Sequence, residues 1–272
     1  KRESMAVKSI REIREEFKAL SPEEIPEHME LYRGDARKGV QDFLKTQENR
    51  LKKYEAELLR IEELCSFEKK YSDYTYICGV DEVGRGPLAG PVVAGAVILP
   101  KDCRIMYIND SKKLSAKKRE ELSREIHAQA LAIGIGLSTQ ERIDEINILQ
   151  ATYEAMRKAV ASLSVTPSLL LNDAVTIPEV DIPQVAIVKG DARSISIGAA
   201  SIVAKVYRDK MMEEYDSMYP GYGFASNKGY GSKEHIEALH RLGPCPLHRR
   251  SFLKSISVSY THLRAHETRR HV

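Results

Sequence analysis

Over the first 72 residues the apolar positions recur at helical spacing. Ile10, Ile13, Phe17 and Leu20 fall on one face of a helix. Ser21-Pro22 interrupts the pattern, and Glu24, three residues after Ser21, forms a candidate capping box. A long polar segment over 40–67 carries Leu44, Leu51, Tyr54, Leu58, Ile61 and Cys65 close to a seven-residue repeat. It admits an amphipathic helix packed on a neighbour or a short coiled coil. So few apolar residues cannot close a large core. Residues 1–72 are therefore expected to form a small all-helical accessory domain, joined near Tyr71-Ser72-Asp73.

From residue 73 the pattern changes. Two apolar runs within 76–99 flank the turn Gly84-Arg85-Gly86-Pro87 and read as a hairpin of buried strands. A short strand is expected over 103–108, and a helix from the candidate N-cap Ser115 to about residue 130. A strand over 132–137 follows, then a helix over 143–163 with Ile146, Leu149, Tyr153, Met156 and Val160 on one face. Residues 169–171 and 185–188 read as short buried strands and 194–217 as a long helix. Residues 221–231 read as a loop and 233–242 as a last helix. This order predicts an α/β domain over 73–252 with a mixed sheet flanked by helices: an antiparallel hairpin first, then strands reached through helices.

Composition adds bounds rather than identity. Hydrophobic residues at 42% and charged residues at 30% are ordinary for a globular chain. No apolar stretch approaches the roughly 18 residues of a membrane span. Lys1-Arg2-Glu3-Ser4 leads into no apolar signal core, so no membrane association and a cytoplasmic location are expected. Cys65, Cys78, Cys103 and Cys245 are scattered without a Cys-x-x-Cys pair, which argues against zinc and disulfides. The formal net charge of +3 is accounted for by Lys254, Arg264, Arg269 and Arg270 against Glu267 in the last twenty residues. A case for nucleic acid must therefore rest on local clusters.

The chemistry lies at the strand ends. Val80-Asp81-Glu82, Leu171-Asn172-Asp173 and Val188-Lys189-Gly190-Asp191 each run from apolar strand into acid. Side by side, these strands would gather Asp81, Glu82, Asp173 and Asp191 at one sheet edge, where like charges need a cation. All-oxygen ligands without His or Cys select a hard ion, Mg²⁺ or Mn²⁺, and Mg²⁺ is commonly completed by substrate phosphate. Asp191 could equally start the helix behind it. Successive strand residues point to opposite faces, so Asp81 and Glu82 can share a site only if Glu82 already belongs to the turn.

Gly84-Arg85-Gly86 offers unobstructed backbone amides and one guanidinium to a sugar-phosphate backbone. It is not a dinucleotide fingerprint, because its third glycine, Gly90, comes one place late. Lys112, Lys113, Lys117, Lys118 and Arg119 form a basic cluster that serves either solvation or phosphate contact. Lys205 and Arg208 recur at helical spacing and could face the same groove. Tyr230, within Lys228-Gly229-Tyr230-Gly231, could stack on a nucleotide or simply pack its loop.

The stretch Asp81-Glu82-Val83-Gly84-Arg85-Gly86-Pro87-Leu88-Ala89-Gly90-Pro91-Val92 resembles the signature of the ribonuclease HII family. So do Asn109-Asp110-Ser111-Lys112-Lys113-Leu114-Ser115, Lys189-Gly190-Asp191, the run from Ala199 to Asp209, Lys228-Gly229-Tyr230 and His248-Arg249-Arg250-Ser251-Phe252, in family order. The resemblance implies a ribonuclease H-like fold. It also implies an endoribonuclease that hydrolyses the RNA strand of RNA–DNA hybrids and incises 5′ of ribonucleotides embedded in duplex DNA. Asp81, Glu82, Asp173 and Asp191 fall on the family's four catalytic carboxylates, for two-metal chemistry with Mn²⁺ or Mg²⁺ that leaves 5′-phosphate and 3′-hydroxyl ends. Gly84, Arg85 and Gly86 fall on the loop that contacts the ribonucleotide, and Tyr230 on the tyrosine that packs against the following deoxyribose. Lys112 and Lys205 join the substrate-binding candidates, and a monomer is expected. Residues 253–272 depart from the family and read as an atypical basic tail foreign to the fold. The alternative from another class is a duplex-binding protein without catalysis.

Overall fold

The computed structural model describes residues 8–256. The chain's first residues and the basic run after Ile256, including His262 and His266, lie outside the described residues. The chain divides into two compact units, one up to Glu62 and the other from Glu63.

The first unit is helical. It comprises α1 (Ile10–Lys18), α2 (Ile25–Glu30) and most of α3 (Lys38–Leu64). Ser9 caps α1 in a capping box with Glu12. The Glu24 carboxylate accepts the Ser21 amide at 2.8 Å. Ile13, Phe17, Ile25, Met29, Val40 and Leu44 close a small core. The polar segment thus forms one helix whose N-terminal half buries Val40 and Leu44, with Phe43 and Leu51 partly buried beside them, in that core.

The second unit opens with α4 (Ser66–Lys70) and is built on one five-stranded sheet. Strands β1 (Ile77–Val83), β2 (Val92–Ile98), β3 (Ala132–Ser138), β4 (Leu169–Asp173) and β5 (Gln184–Ile187) lie in the order β3-β2-β1-β4-β5. β1–β2 and β2–β3 are antiparallel, while β1–β4 and β4–β5 are parallel. The mixed sheet expected from the sequence is therefore present, with the acid-ended strand β1 at its centre.

Helices α5 (Ala116–Gln129), α6 (Gln140–Ala161) and α7 (Ile195–Met218) flank the sheet. Cys78 and Val80 of β1 and Val92, Ala94 and Ala96 of β2 pack with Ala151, Ala155, Met156 and Ala159 of α6. Val83 and Val93 instead meet Ala204 of α7. Ser194 caps α7, and Glu68 of α4 accepts both the Ser194 hydroxyl (2.6 Å) and the Ser196 amide (3.1 Å). Two short helices, α8 (Phe224–Asn227) and α9 (Lys233–Leu242), follow. Leu253 is buried in their cluster, with Met212, Phe224 and Leu239.

Two expectations differ from the structure. Residues 103–108 form no strand. Left-handed backbone at Asp102 (φ 63°) and Tyr107 (φ 68°) bends the chain, while Ile105 and Ile108 still bury their side chains. The helix expected from 143 begins at Gln140 and is broken at Asn147 (φ 67°, ψ 165°). The Asn147 side chain caps the second segment by accepting the Leu149 and Gln150 amides.

The sheet accepts α7 at short range because Gly79 of β1 lacks a side chain. A Cβ there would lie 2.0 Å from the carbonyl carbon of Ser196. Gly79→Ala is therefore expected to cost about 3 kcal/mol of stability in urea unfolding. A change below about 0.5 kcal/mol would mean that α7 has room to slide away.

Candidate active site

Strand register assembles the acids. Val80 pairs with Asn172 across the parallel β1–β4 ladder, so Asp81 and Asp173 follow as neighbours at the strand ends. Asp173 pairs with Ile187 of β5. Two residues later Lys189 takes left-handed backbone (φ 56°) and turns the chain into a single 3-10 turn, Gly190–Ala192. The Gly190 amide then donates to Asp173 Oδ1 at 2.7 Å, and Asp191 comes within electrostatic reach of Asp173. The cap of α7 is Ser194, which leaves Asp191 free of that task.

Asp81 is 5% exposed and faces α7, with the Ser201 side chain near enough to its carboxylate to oppose the rise in its pKa. Its Oδ1 accepts the Glu82 amide at 2.8 Å. The Ser201 hydroxyl lies 3.0 Å from that of Ser111, which ties the 109–115 loop to the same spot. Glu82 does not belong to the turn, as the alternation argument required. It is still in β1, paired with Ala94. Alternation sends it to the other face, yet at the end of a strand both carboxylates reach one rim and repel each other.

That crowding is visible in the acidities. Burial, then the charges of Glu82 and Asp173, push the Asp81 carboxyl well above the usual carboxylate range. Burial also raises Glu82, with the Arg85 guanidinium opposing and Asp173 adding to it. Asp191 is raised by burial, then by Asp110 and Asp173, with Lys112 opposing. Asp110 is thus a further carboxylate at the rim. The sequence offered it only as part of a polar loop.

The donor set is all oxygen, which fits a hard divalent cation. Among the described residues no three His, Cys, Asp or Glu side chains already close on one ion.

Beside the acids lies a loop held from below. Gly84 (φ 89°) turns the chain, and the exposed Arg85 reaches back to Glu82 at 3.4 Å. The Tyr230 ring, 40% exposed, stands against Gly86, whose Cβ would sit 3.7 Å from it. Lys112 is exposed and close enough to Asp191 to stabilise its charge. Lys205 is placed differently. Its ammonium is mostly buried and bonded to Asp209 at 2.7 Å, with Arg119 on the same carboxylate group at 3.6 Å.

Arg208 does not face a groove, contrary to the spacing argument. It is fully buried and donates to the carbonyls of Pro91 (2.9 Å), Ala89 (3.1 Å) and Lys228 (2.8 Å). Arg249, also fully buried, donates to Gly90 (2.9 Å), Arg85 (2.8 Å) and Gly84 (2.6 Å). Burial, then the charge of Arg208, pulls the Arg249 guanidinium down to about 9. Sequence reasoning missed both roles, since only the stretches of loop carbonyl they satisfy reveal them.

Comparisons with known proteins show which family the chain resembles. A family model described as Ribonuclease HII matches residues 78–255, and one described as Ribonuclease HII N-terminal domain matches residues 9–72. The ribonuclease HII of Lachnoclostridium phytofermentans is 65% identical over 226 residues, 83% of this chain and 89% of that protein. That of Clostridioides difficile is 53% identical over 254 residues, 93% of this chain and 100% of that one. The crystal structure of the ribonuclease H2 from Pyrococcus horikoshii superposes with a TM-score of 0.54 at 29% identity, covering 65% of this chain and 93% of that one. A ribonuclease HII from Archaeoglobus fulgidus, solved in complex with PCNA, shares the fold with a TM-score of 0.55 at 24% identity, over 64% of this chain and 94% of its own.

The two arginine roles separate by experiment. Arg249→Met strands three loop carbonyls and is expected to cost about 3 kcal/mol and to speed amide exchange over 84–90. Arg85→Ala removes an exposed charge and is expected to cost less than about 0.5 kcal/mol. Equal losses in urea unfolding would refute the brace.

Proposed function

The chain belongs to the ribonuclease HII family, and on that footing we propose how its own residues divide the work of the reaction. The protein is an endoribonuclease that acts on RNA–DNA hybrids. In the proposed reading it also incises 5′ of single ribonucleotides in duplex DNA. It does so as a monomer in the cytoplasm, leaving 5′-phosphate and 3′-hydroxyl ends.

One observation carries this reading: the register of β1, β4 and β5 gathers Asp81, Asp173 and Asp191 at one rim, with Glu82 beside them. Crowded carboxylates need positive charge to ionise together. Asp81, Glu82, Asp173 and Asp191 would hold Mg²⁺ or Mn²⁺. Bound there, the ions supply an activated water for in-line attack and neutralise charge on the leaving 3′ oxygen. The Glu82 amide orients Asp81 and the Gly190 amide orients Asp173, so these two carboxylates are aimed before substrate arrives.

Substrate selection falls to the neighbouring clamp. Gly84 and Gly86 expose backbone to the ribose, and a contact to its 2′-hydroxyl separates RNA from DNA at the cut. Arg85 and Lys112 meet phosphate, and the Tyr230 ring packs on the next sugar. Lys205 contributes through Asp209 and Arg119, which hold the 109–115 loop against α7, rather than by a free ammonium. Residues 1–72 act as an accessory domain that holds the duplex, in keeping with the N-terminal family match over 9–72.

A duplex with one embedded ribonucleotide tests the reading. A nick with Mg²⁺ or Mn²⁺, abolished by EDTA, is expected, whereas a shifted but uncut duplex would support the non-catalytic alternative. Asp81→Asn is expected to slow cleavage by about 10³-fold while binding persists. Without metal the same variant is expected to melt a few degrees higher, because it loses a like charge. It is also expected to lose the metal-induced rise in Tm of the parent. Retained cleavage would reject Asp81 as a ligand.

A further inference from the structure

Behind the clamp lies a pair of buried imidazoles that the reaction does not use. His235, in the first turn of α9, is 0% exposed, and His248 is 3% exposed. Their Nε2 atoms are 3.0 Å apart. Tyr222 and Phe224 pack against both rings, so little water competes for these atoms.

The hydrogen bonds leave one proton assignment. His235 Nδ1 lies 2.8 Å from the Tyr230 carbonyl, which can only accept, so Nδ1 carries the hydrogen. A neutral ring then has a bare Nε2, and His248 Nε2 must donate to it. His248 Nδ1 is left as an acceptor and takes the Cys245 amide at 2.9 Å, the shortest of its three contacts; the Cys245 thiol and carbonyl both lie farther off, at 3.2 Å. The chain runs Cys245 amide, His248, His235, Tyr230 carbonyl, with every member satisfied and both rings neutral. Burial, which holds His248 down at about 4 and also lowers His235, agrees with that neutrality.

The chain joins the two sides of the clamp. His248 bridges Ala89, just past the Gly84–Gly86 turn, and the next residue, Arg249, holds that turn by its carbonyls. Neighbouring side chains therefore point at the two jaws: Arg249 at Gly84 and Arg85, and His248, through His235, at Tyr230. We propose that His235 and His248 are positioning residues that fix Tyr230 relative to the Gly84–Gly86 turn and so set the grip on the sugar beside the cut. The proposal rests on the reading of Tyr230 as a substrate contact given above.

Two experiments decide it. Nitrogen-15 NMR of the unaltered protein at neutral pH is expected to find His235 protonated on Nδ1 and His248 on Nε2; the opposite tautomer in either ring, or an imidazolium, overturns the relay. In the one-ribonucleotide cleavage assay, His235→Phe keeps the ring packing and removes the donor. It is expected to raise KM about tenfold with kcat within about twofold, as for a lost binding contact. His235→Asn, which places an amide donor near the Nδ1 position, is expected to recover KM to within about threefold. In a Tyr230→Ala background, His235→Phe is expected to add less than about twofold, because the two act as one unit. Multiplying effects would reject the relay, as would an unchanged KM in His235→Phe beside a raised KM in Tyr230→Ala. An unchanged KM in Tyr230→Ala itself rejects Tyr230 as a substrate contact, and the clamp role of the histidines falls with it.

Discussion

A carboxylate inside a sheet is tolerable only where something receives its charge, and Asp81 governs the second unit for that reason. It sits on the central strand, 5% exposed, with Gly95 opposite it in the ladder and a serine of α7 above it. Gly79, two residues earlier on the same face, lets the backbone of α7 approach the strand at Ser196 and Ile197. The parallel partner β4 then delivers Asp173 beside it. Neither strand could place an acid there by local preference, since Asp is depleted in strands. A cation held there, as proposed, would relieve the repulsion among these carboxylates and so couple its binding to the stability of the rim.

The clamp raises the opposite difficulty. The turn from Gly84 to Pro91 leaves the β1–β2 ladder, so its carbonyls lose their strand partners. Arg208 and Arg249 supply six hydrogen bonds to carbonyls of that turn and of Lys228. A guanidinium suits this task because it presents several donors in one rigid plane and stays charged when buried. Removing either would expose both faults at once, unpaired carbonyls and an empty space beneath the loop.

Much of this could be read from the residues in order. The hairpin, the cap Ser115 and the acid-ended strands rest on local chemistry, which neighbours in sequence determine. What escaped depends on partners far away. Arg249 looks like one of several surface cations until the carbonyl of Gly84, 165 residues earlier, is found against it. Lys205 looks available until Asp209, one turn on, takes its ammonium. The extended stretch expected over 103–108 lacked a strand to pair with, and burying Ile105 and Ile108 required bends that a strand forbids. Glu82 was placed in the turn by a sound rule of alternation; the rule fails to exclude a shared site only because β1 ends one residue later, at Val83.

The two difficulties meet at the substrate. The rim carries excess negative charge and the clamp beside it two buried positive charges, and burial, then the charge of Arg208, lowers the pKa of Arg249. A phosphodiester laid across both would bring negative charge to the guanidinium side, while divalent ions take up the carboxylate side. Each partner then relieves a strain the other leaves standing, and field strength in such a partly dry cleft exceeds that in water. On the proposed reading, grip and chemistry would be linked through charge, with the turn held by the six hydrogen bonds of Arg208 and Arg249.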